Sequence, residues 1–215
     1  MAISGLILVL YLLAHMYGNL KIFSGQEAFD EYSHHLRVMG EPMLPYGGAL
    51  WLIRIVLLVA IGVHIFSAVT LWRRSRLAAA GGSSRYQSSK APRGFQRSYA
   101  SFTMRWGGVI IVAFVVYHLL HLTWNTITPG GASDSPYERV VNGFEIWWVV
   151  LSYTIALLAV AFHLRHGVWA AMASLGANTS QRRRRHLNVL ATLVAAVVTV
   201  GFLIPPFAIL FGLVG

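Results

Sequence analysis

The residues of this sequence best suited to chemistry are histidines that lie inside long apolar stretches. Six of the nine histidines have this setting, and they come from four separate stretches: His15, His64, His118, His121, His163 and His166. Ionisable side chains are costly at membrane depth, and they usually mark a functional site. Histidines supplied by several facing helices can hold a metal cofactor in the core of a helical bundle. The pattern therefore predicts a cofactor-binding bundle.

The composition is that of an integral membrane protein. Hydrophobic residues make up 56% of the 215-residue chain and charged residues only 11%, against about 25% charged residues in soluble domains. Five stretches are long enough to cross a bilayer: residues 3–20, 48–72, 106–126, 146–175 and 187–214. We therefore predict an all-α integral membrane protein with five transmembrane helices. The first four helices would form the histidine-bearing bundle, within a single domain that spans residues 1–215.

The charged residues are distributed unequally between the loops. Residues 73–105 hold eight Lys or Arg and no acid, and residues 182–185 add four arginines. All seven acidic residues lie in residues 21–46 and 129–145, beside only three basic ones. The positive-inside rule then places the N-terminus in the cytoplasm and the C-terminus outside. Basic loops of this kind face anionic lipid or an acidic partner, so the net charge of +10 does not indicate nucleic-acid binding.

The sequence contains no cysteine. This excludes a disulfide framework, a haem attached covalently through a C-x-x-C-H motif, and a cysteine-ligated iron–sulfur cluster in this chain. If electrons reach the protein from iron–sulfur centres, those centres belong to a partner.

The histidines sort into two levels of depth. His15 and His118 lie about five to seven residues from the predicted outer surface, and His64 and His166 about eight or nine from the inner one. The spacing repeats, since 49 residues separate His15 from His64 and 48 separate His118 from His166. A single intramembrane histidine could simply hydrogen bond a neighbouring helix. Four at two matched depths instead predict two bis-histidine haem b sites stacked across the membrane.

Two of the spans carry a second histidine on the same helix face. His121 lies three residues after His118, and His163 lies three residues before His166. Depth favours His166 over His163, whereas it does not separate His118 from His121.

Two arginines also lie inside the predicted spans. Arg54 lies near the outer histidine level and Arg165 near the inner one. Each could reach the membrane surface or bond backbone carbonyls. Because no acidic residue lies in any span, the sharper prediction is that each arginine neutralises a haem propionate.

The motifs resemble the cytochrome b membrane-anchor subunit of succinate dehydrogenases and fumarate reductases. The resemblance is to the five-helix, dihaem type, and above all to its actinobacterial members. The residues that carry it are Ser4-Gly-Leu, His15-Met and Gly-Asn19, His64, Met104-Arg-Trp-Gly-Gly, His118-Leu, His166-Gly-Val-Trp and Ser174-Leu-Gly. The resemblance implies that His15 and His118 bind the distal haem, and that His64 and His166 bind the proximal one. It leaves His121 and His163 as neighbours of the haems.

The resemblance also implies the function. A cytoplasmic flavoprotein subunit would oxidise succinate, and an iron–sulfur subunit would relay electrons to this subunit. The two haem b groups would then pass them to a quinone, expected to be menaquinone. The expected location is the bacterial inner membrane, in contact with lipid and quinone, and a higher oligomer is compatible with it. Some members have a glutamate two residues before the last ligand, where this chain has Leu164, so that proton route is not expected here.

Two other classes of protein share some of these features. One is the haem b subunit of a hydrogenase or formate dehydrogenase, but its catalytic partners usually lie outside, whereas the basic surface here is predicted to be cytoplasmic. The other is a haem-free membrane anchor or transporter. Paired acids in broken helices would favour a transporter, and these spans contain no interior acid.

Overall fold

Five long helices form the body of the described part of the chain, and two short helices cover one end of it. The computed structural model describes residues 1–80 and 95–215, with side chains for residues 1–77 and 103–215. The long helices are α1 (Ala2–Leu20), α3 (Gly48–Ala80), α4 (Phe95–His118), α6 (Trp147–Ser174) and α7 (Gln181–Leu210), and the short ones are α2 (Gln26–Val38) and α5 (Pro136–Phe144). All five long helices are apolar enough to span a membrane, which confirms the predicted all-α class. The middle of the predicted basic loop, residues 81–94, lies outside the described residues.

The successive spans alternate in direction, so the loops gather at two opposite ends. We call one the basic end: it contains the start of α1, the end of α3 and the start of α7, with exposed arginines at residues 182–185. We call the other the acidic end, where α2 and α5 lie. The charge asymmetry read from the sequence is therefore an asymmetry between the two ends of one bundle.

Helix α6 lies at the centre of the bundle and packs against α1, α4 and α7. Towards the basic end, Leu164 and Val168 of α6 form an apolar core with Ala191, Ala195 and Val198 of α7. Helix α7 also packs closely against α1, since a Cβ atom at Gly201 would overlap the side chain of Met16.

Helix α3 is held less tightly than the other spans. It packs against α1 and α2, yet every residue from 51 to 56 is exposed, on all sides of the helix. This part of α3 therefore makes few contacts with the rest of the described bundle.

The two short helices lock together at the acidic end. The Asp30 carboxylate of α2 accepts hydrogen bonds from Ser135 Oγ at 2.6 Å and from the Tyr137 backbone N–H at 3.0 Å. Ser135 caps α5 by accepting a bond from the Glu138 N–H at 3.2 Å, with Pro136 at the first helical position. The Ser-Pro-Tyr-Glu sequence accounts for the start of α5, because a serine followed three residues later by glutamate is typical of a helix start.

We expect Gly201→Ala to destabilise the protein, because the added methyl group would collide with Met16 and force α7 away from α1. Overpacking of this kind costs about 1–3 kcal/mol. Gly62→Ala is the matched control, since a Cβ atom there meets nothing within 4 Å. Thermal unfolding of the purified protein in detergent should show a lower Tm for Gly201→Ala alone. Equal Tm values for the two variants would contradict the close packing of α7 on α1.

Candidate functional site

Towards the acidic end, the structure brings together His15 of α1 and His118, the last residue of α4. Their ring centroids lie 5.8 Å apart, with the rings at 82° to each other. Tyr11 stacks on His15 at 5.4 Å, and Phe202 of α7 contacts the same ring at 5.6 Å. We call His15 and His118 the acidic-end pair. Helix α7 carries no histidine in the membrane, but it contributes an aromatic wall to this pair.

Tyr153 of α6 connects His118 to the other histidine of the same segment. Its hydroxyl oxygen lies 3.4 Å from His118 Nδ1 and 3.0 Å from His121 Nδ1. Tyr153 is only 5% exposed, and Phe114 packs edge-on against its ring at 4.9 Å. In the sequence, the only signal for this residue is a polar aromatic side chain in an otherwise apolar stretch.

His121 lies in a different environment from His118, although only three residues separate them. After His118 the helix widens into a single π-helical turn, Leu119–Thr123, which carries His121. The His121 ring is 3% exposed and packs against Tyr117, Phe144 and Tyr153. A side chain at Gly143 of α5 would collide with His121 Nε2, so the glycine allows α5 to cover the ring.

Towards the basic end, the structure brings together His64 of α3 and His163 of α6. Their ring centroids lie 6.2 Å apart, with the rings inclined at 56°. Ser4 Oγ lies 3.4 Å from His64 Nδ1 and donates its proton to the Met1 carbonyl at 3.0 Å. His163 Nδ1 is buried and has no hydrogen-bond partner among the described residues. We call His64 and His163 the basic-end pair.

Sequence analysis paired His64 with His166, and the structure does not bring those two rings together. His166 is half-buried and contacts Trp169 of its own helix at 6.5 Å. The depth argument separated His166 from His163 by three residues, or about 4.5 Å along the helix. The same three residues also rotate the side chain about the helix axis, and that rotation directs His163 rather than His166 towards α3.

Glycines border the basic-end pair on several helices. A Cβ atom at Gly5 of α1 would lie 3.5 Å from the His64 ring, and one at Gly108 of α4 would lie 3.9 Å from the His163 ring. Gly167 lies one turn beyond His163 on the same face of α6, and a Cβ atom there would meet nothing within 4 Å. The pair is therefore surrounded by small residues that leave room beside the rings.

Arg54 lies at the level of the acidic-end pair. Its guanidinium lies 5.1 Å from the centre of the Trp51 ring, and it is close enough to Tyr11 to interact electrostatically. Tyr11 in turn stacks on His15. Arg54 is exposed, and Tyr11 connects it to the acidic-end pair.

Arg165 has a partner on the neighbouring helix α7, and its contact with a haem propionate stays a prediction. Its Nε donates to Thr192 Oγ1 of α7 at 3.2 Å, and that hydroxyl donates to the Asn188 carbonyl at 2.8 Å. The cause is helical rotation, because a residue two positions after His163 lies about 200° around the helix. Arg165 therefore crosslinks α6 to α7 on the side away from His64.

Each of the two pairs consists of only two imidazoles, contributed by different helices. Two histidines are a ligand set that a haem iron can use. Among residues 1–77 and 103–215, no three His, Cys, Asp or Glu side chains gather around one point. The buried, unpartnered His163 Nδ1 also shows a polar atom for which the described protein supplies no partner.

A protein family described as the succinate dehydrogenase/fumarate reductase transmembrane subunit matches residues 83–202, more than half of the chain. The matched range includes all four histidines of α4, the π turn and α6, and it leaves out His15 and His64. No curated protein and no solved structure shows significant similarity to the chain.

Proposed function

The chain belongs to the succinate dehydrogenase/fumarate reductase transmembrane subunit family, and from that premise we propose that it holds two haem b groups that connect its partners to a quinone. It is a multi-pass membrane subunit of an oxidoreductase complex. The observation that carries the two-haem proposal is the presence of two separate histidine pairs, each contributed by two different helices. When bound, each haem would supply a one-electron Fe(III)/Fe(II) couple.

We assign the axial ligands as His15 with His118 and His64 with His163. The assignment of His163 in place of His166 rests on its ring contact with His64. The Ser4 hydroxyl has one proton, which goes to the Met1 carbonyl. Its contact with His64 therefore requires His64 to donate from Nδ1, and this leaves His64 Nε2 free to bind iron.

The rest of the bundle insulates and tunes the two sites. Tyr11, Phe114 and Phe202 surround the acidic-end pair with aromatic rings and exclude water from it. Arg54 supplies a cation at the same level, positioned to neutralise a propionate. A dry environment of low dielectric constant strengthens each of these interactions, so a few side chains determine the potential of each haem.

The basic end is proposed to face the cytoplasm and to bind the flavoprotein and iron–sulfur subunits. The positive-inside rule and the exposed arginines at residues 182–185 support this orientation. Electrons would then enter at the basic-end pair, and the quinone, proposed to be menaquinone, would be reduced in the membrane. The proposed location is a bacterial plasma membrane, with residues 1–215 acting as a single haem-binding domain and the succinate site on a partner.

We expect His15→Ala, His64→Ala, His118→Ala and His163→Ala each to remove one of two haems from the purified complex, because each removes one axial ligand. His166→Ala should retain both haems, as should the control His186→Ala, an exposed residue of α7. Pyridine haemochrome counts per chain measure the outcome. A wild-type complex with a single haem, or loss of a haem in His166→Ala but not in His163→Ala, would contradict the assignment.

The two arginines give a second prediction. Arg54→Gln should lower the midpoint potential of the acidic-end haem, because loss of a nearby cation favours the oxidised iron. A unit charge about 10 Å away at an effective dielectric constant of 20 contributes about 1–2 kcal/mol, which changes the redox equilibrium roughly tenfold. Arg165→Gln is the matched control and should leave the acidic-end haem unshifted, since Arg165 lies towards the other end of the bundle, where it bonds Thr192. A redox titration in which both variants shift the acidic-end haem equally would show that Arg54 has no special relation to this site.

A further inference from the structure

The hydrogen-bonded chain from His121 through Tyr153 to His118 is not explained by iron ligation alone. All three side chains belong to the acidic-end half of the bundle, and they come from α4, its π turn and α6. Tyr153 and His121 are among the most buried polar side chains described, at 5% and 3% exposure. We propose that Tyr153, oriented by His121, is a positioning residue that holds the proton of His118 on Nδ1 and so leaves Nε2 for the haem iron. This inference rests on the proposed function.

Counting protons shows which group donates and which accepts in each of these two hydrogen bonds. The Tyr153 hydroxyl has one proton to donate, and it lies within hydrogen-bond distance of two imidazole nitrogens. If it donated to His118 Nδ1, the proton of the neutral His118 ring would have to reside on Nε2, the nitrogen that binds iron. If it donates to His121 Nδ1, its oxygen can accept the proton of His118 Nδ1. Only the second arrangement leaves His118 Nε2 free.

His121 therefore has a defined part in the chain, although it is not a ligand. By accepting the phenol proton at 3.0 Å, it turns the Tyr153 oxygen lone pairs towards His118. Without this acceptor, the phenol proton would be free to turn towards His118 Nδ1. Together, Tyr153 and His121 keep the proton of His118 on Nδ1. A tyrosine without this acceptor would leave the position of that proton undetermined.

Several features of the fold hold these three hydrogen-bonded side chains in place. The π turn carries His121, whose ring packs against Phe144 of α5. Gly143 of α5 leaves the space that the His121 ring fills. Phe144 packs edge-on against Tyr153 at 4.8 Å and so restricts movement of the phenol. π-helical turns are rare and occur often at functional sites.

The expected effect on the haem follows from the same hydrogen bond. A ligand imidazole that donates its second N–H to an acceptor becomes more basic and stabilises the oxidised metal. Tyr153→Phe keeps the ring and its packing but removes the acceptor. The midpoint potential of the acidic-end haem should therefore rise. We expect a change of up to tenfold in its redox equilibrium, which is 59 mV for a one-electron couple.

The test uses the purified complex with its partner subunits and follows each haem by spectroelectrochemical titration and electron paramagnetic resonance. The acidic-end haem is identified as the one absent from His15→Ala. In Tyr153→Phe both haems should remain, and only the acidic-end haem should shift upward in potential and change its g values. Tyr117→Phe is the matched control, because its ring packs against the same His121 and Tyr153 but its hydroxyl bonds neither histidine.

His121→Gln provides a second variant, in which a side-chain carbonyl can still accept the phenol proton. It should shift the acidic-end haem less than Tyr153→Phe does, while His121→Leu should shift it in the same direction as Tyr153→Phe. If Tyr153→Phe loses the haem altogether, the ordering of the two His121 variants decides the question by the same readout.

Two results would overturn different claims. A wild-type complex that lacks two low-spin haems would overturn the proposed function before any variant is compared. Two haems in the wild type, with unchanged potential and g values in Tyr153→Phe and in both His121 variants, would overturn only the role of Tyr153. Equal shifts of both haems, or the same shift in Tyr117→Phe, would likewise overturn it.

Discussion

An imidazole buried among membrane helices has to find partners for its nitrogens within the fold, because the hydrocarbon offers none. One imidazole of each histidine pair meets this constraint through a hydroxyl group. His64 has Ser4 at its Nδ1, and His118 has Tyr153 at its Nδ1. In each case a hydroxyl group lies beside the imidazole nitrogen. The proton of that hydroxyl has a second acceptor within hydrogen-bond distance. A hydroxyl group thus faces one imidazole in each pair, from two different helices, and under the proposed ligation it would leave the Nε2 atom of that ring available.

Helix α6 explains why the two pairs lie at separate levels. It carries Tyr153 at one level and His163 at the other, ten residues apart, which corresponds to about 15 Å along a helix axis. On α1, Ser4 and His15 are eleven residues apart, which gives nearly the same separation of about 16 Å. The residue spacings on α6 and on α1 therefore give the same separation between the two levels. Helix α7 braces both of them, through its core with α6 and through Gly201 against Met16.

The sequence alone predicted those features of the fold that depend on the average properties of many residues. Five apolar stretches and the clustering of arginines predicted the number of spans and the two ends, because hydropathy and loop charge accumulate along the chain. Depth predicted that histidines of α1 and α4, and of α3 and α6, lie at matching levels, and ring contacts join His15 to His118 and His64 to His163. Depth does not determine rotation about a helix axis, because three residues change depth by only about 4.5 Å but change direction by about 60°. The choice between His163 and His166 therefore depends on contacts that the sequence does not contain. Tyr153 was missed because its role exists only through contacts with α4.

A density map of the purified complex at a resolution that shows side chains is the most direct test of the two-haem arrangement. We expect two haem densities in the bundle, with one iron between His15 and His118 and the other between His64 and His163. The iron-to-iron separation along the membrane normal should be about 15 Å, as set by the rise of α6. A single haem, or an iron ligated by His166 or His121, would contradict the arrangement proposed for this membrane subunit.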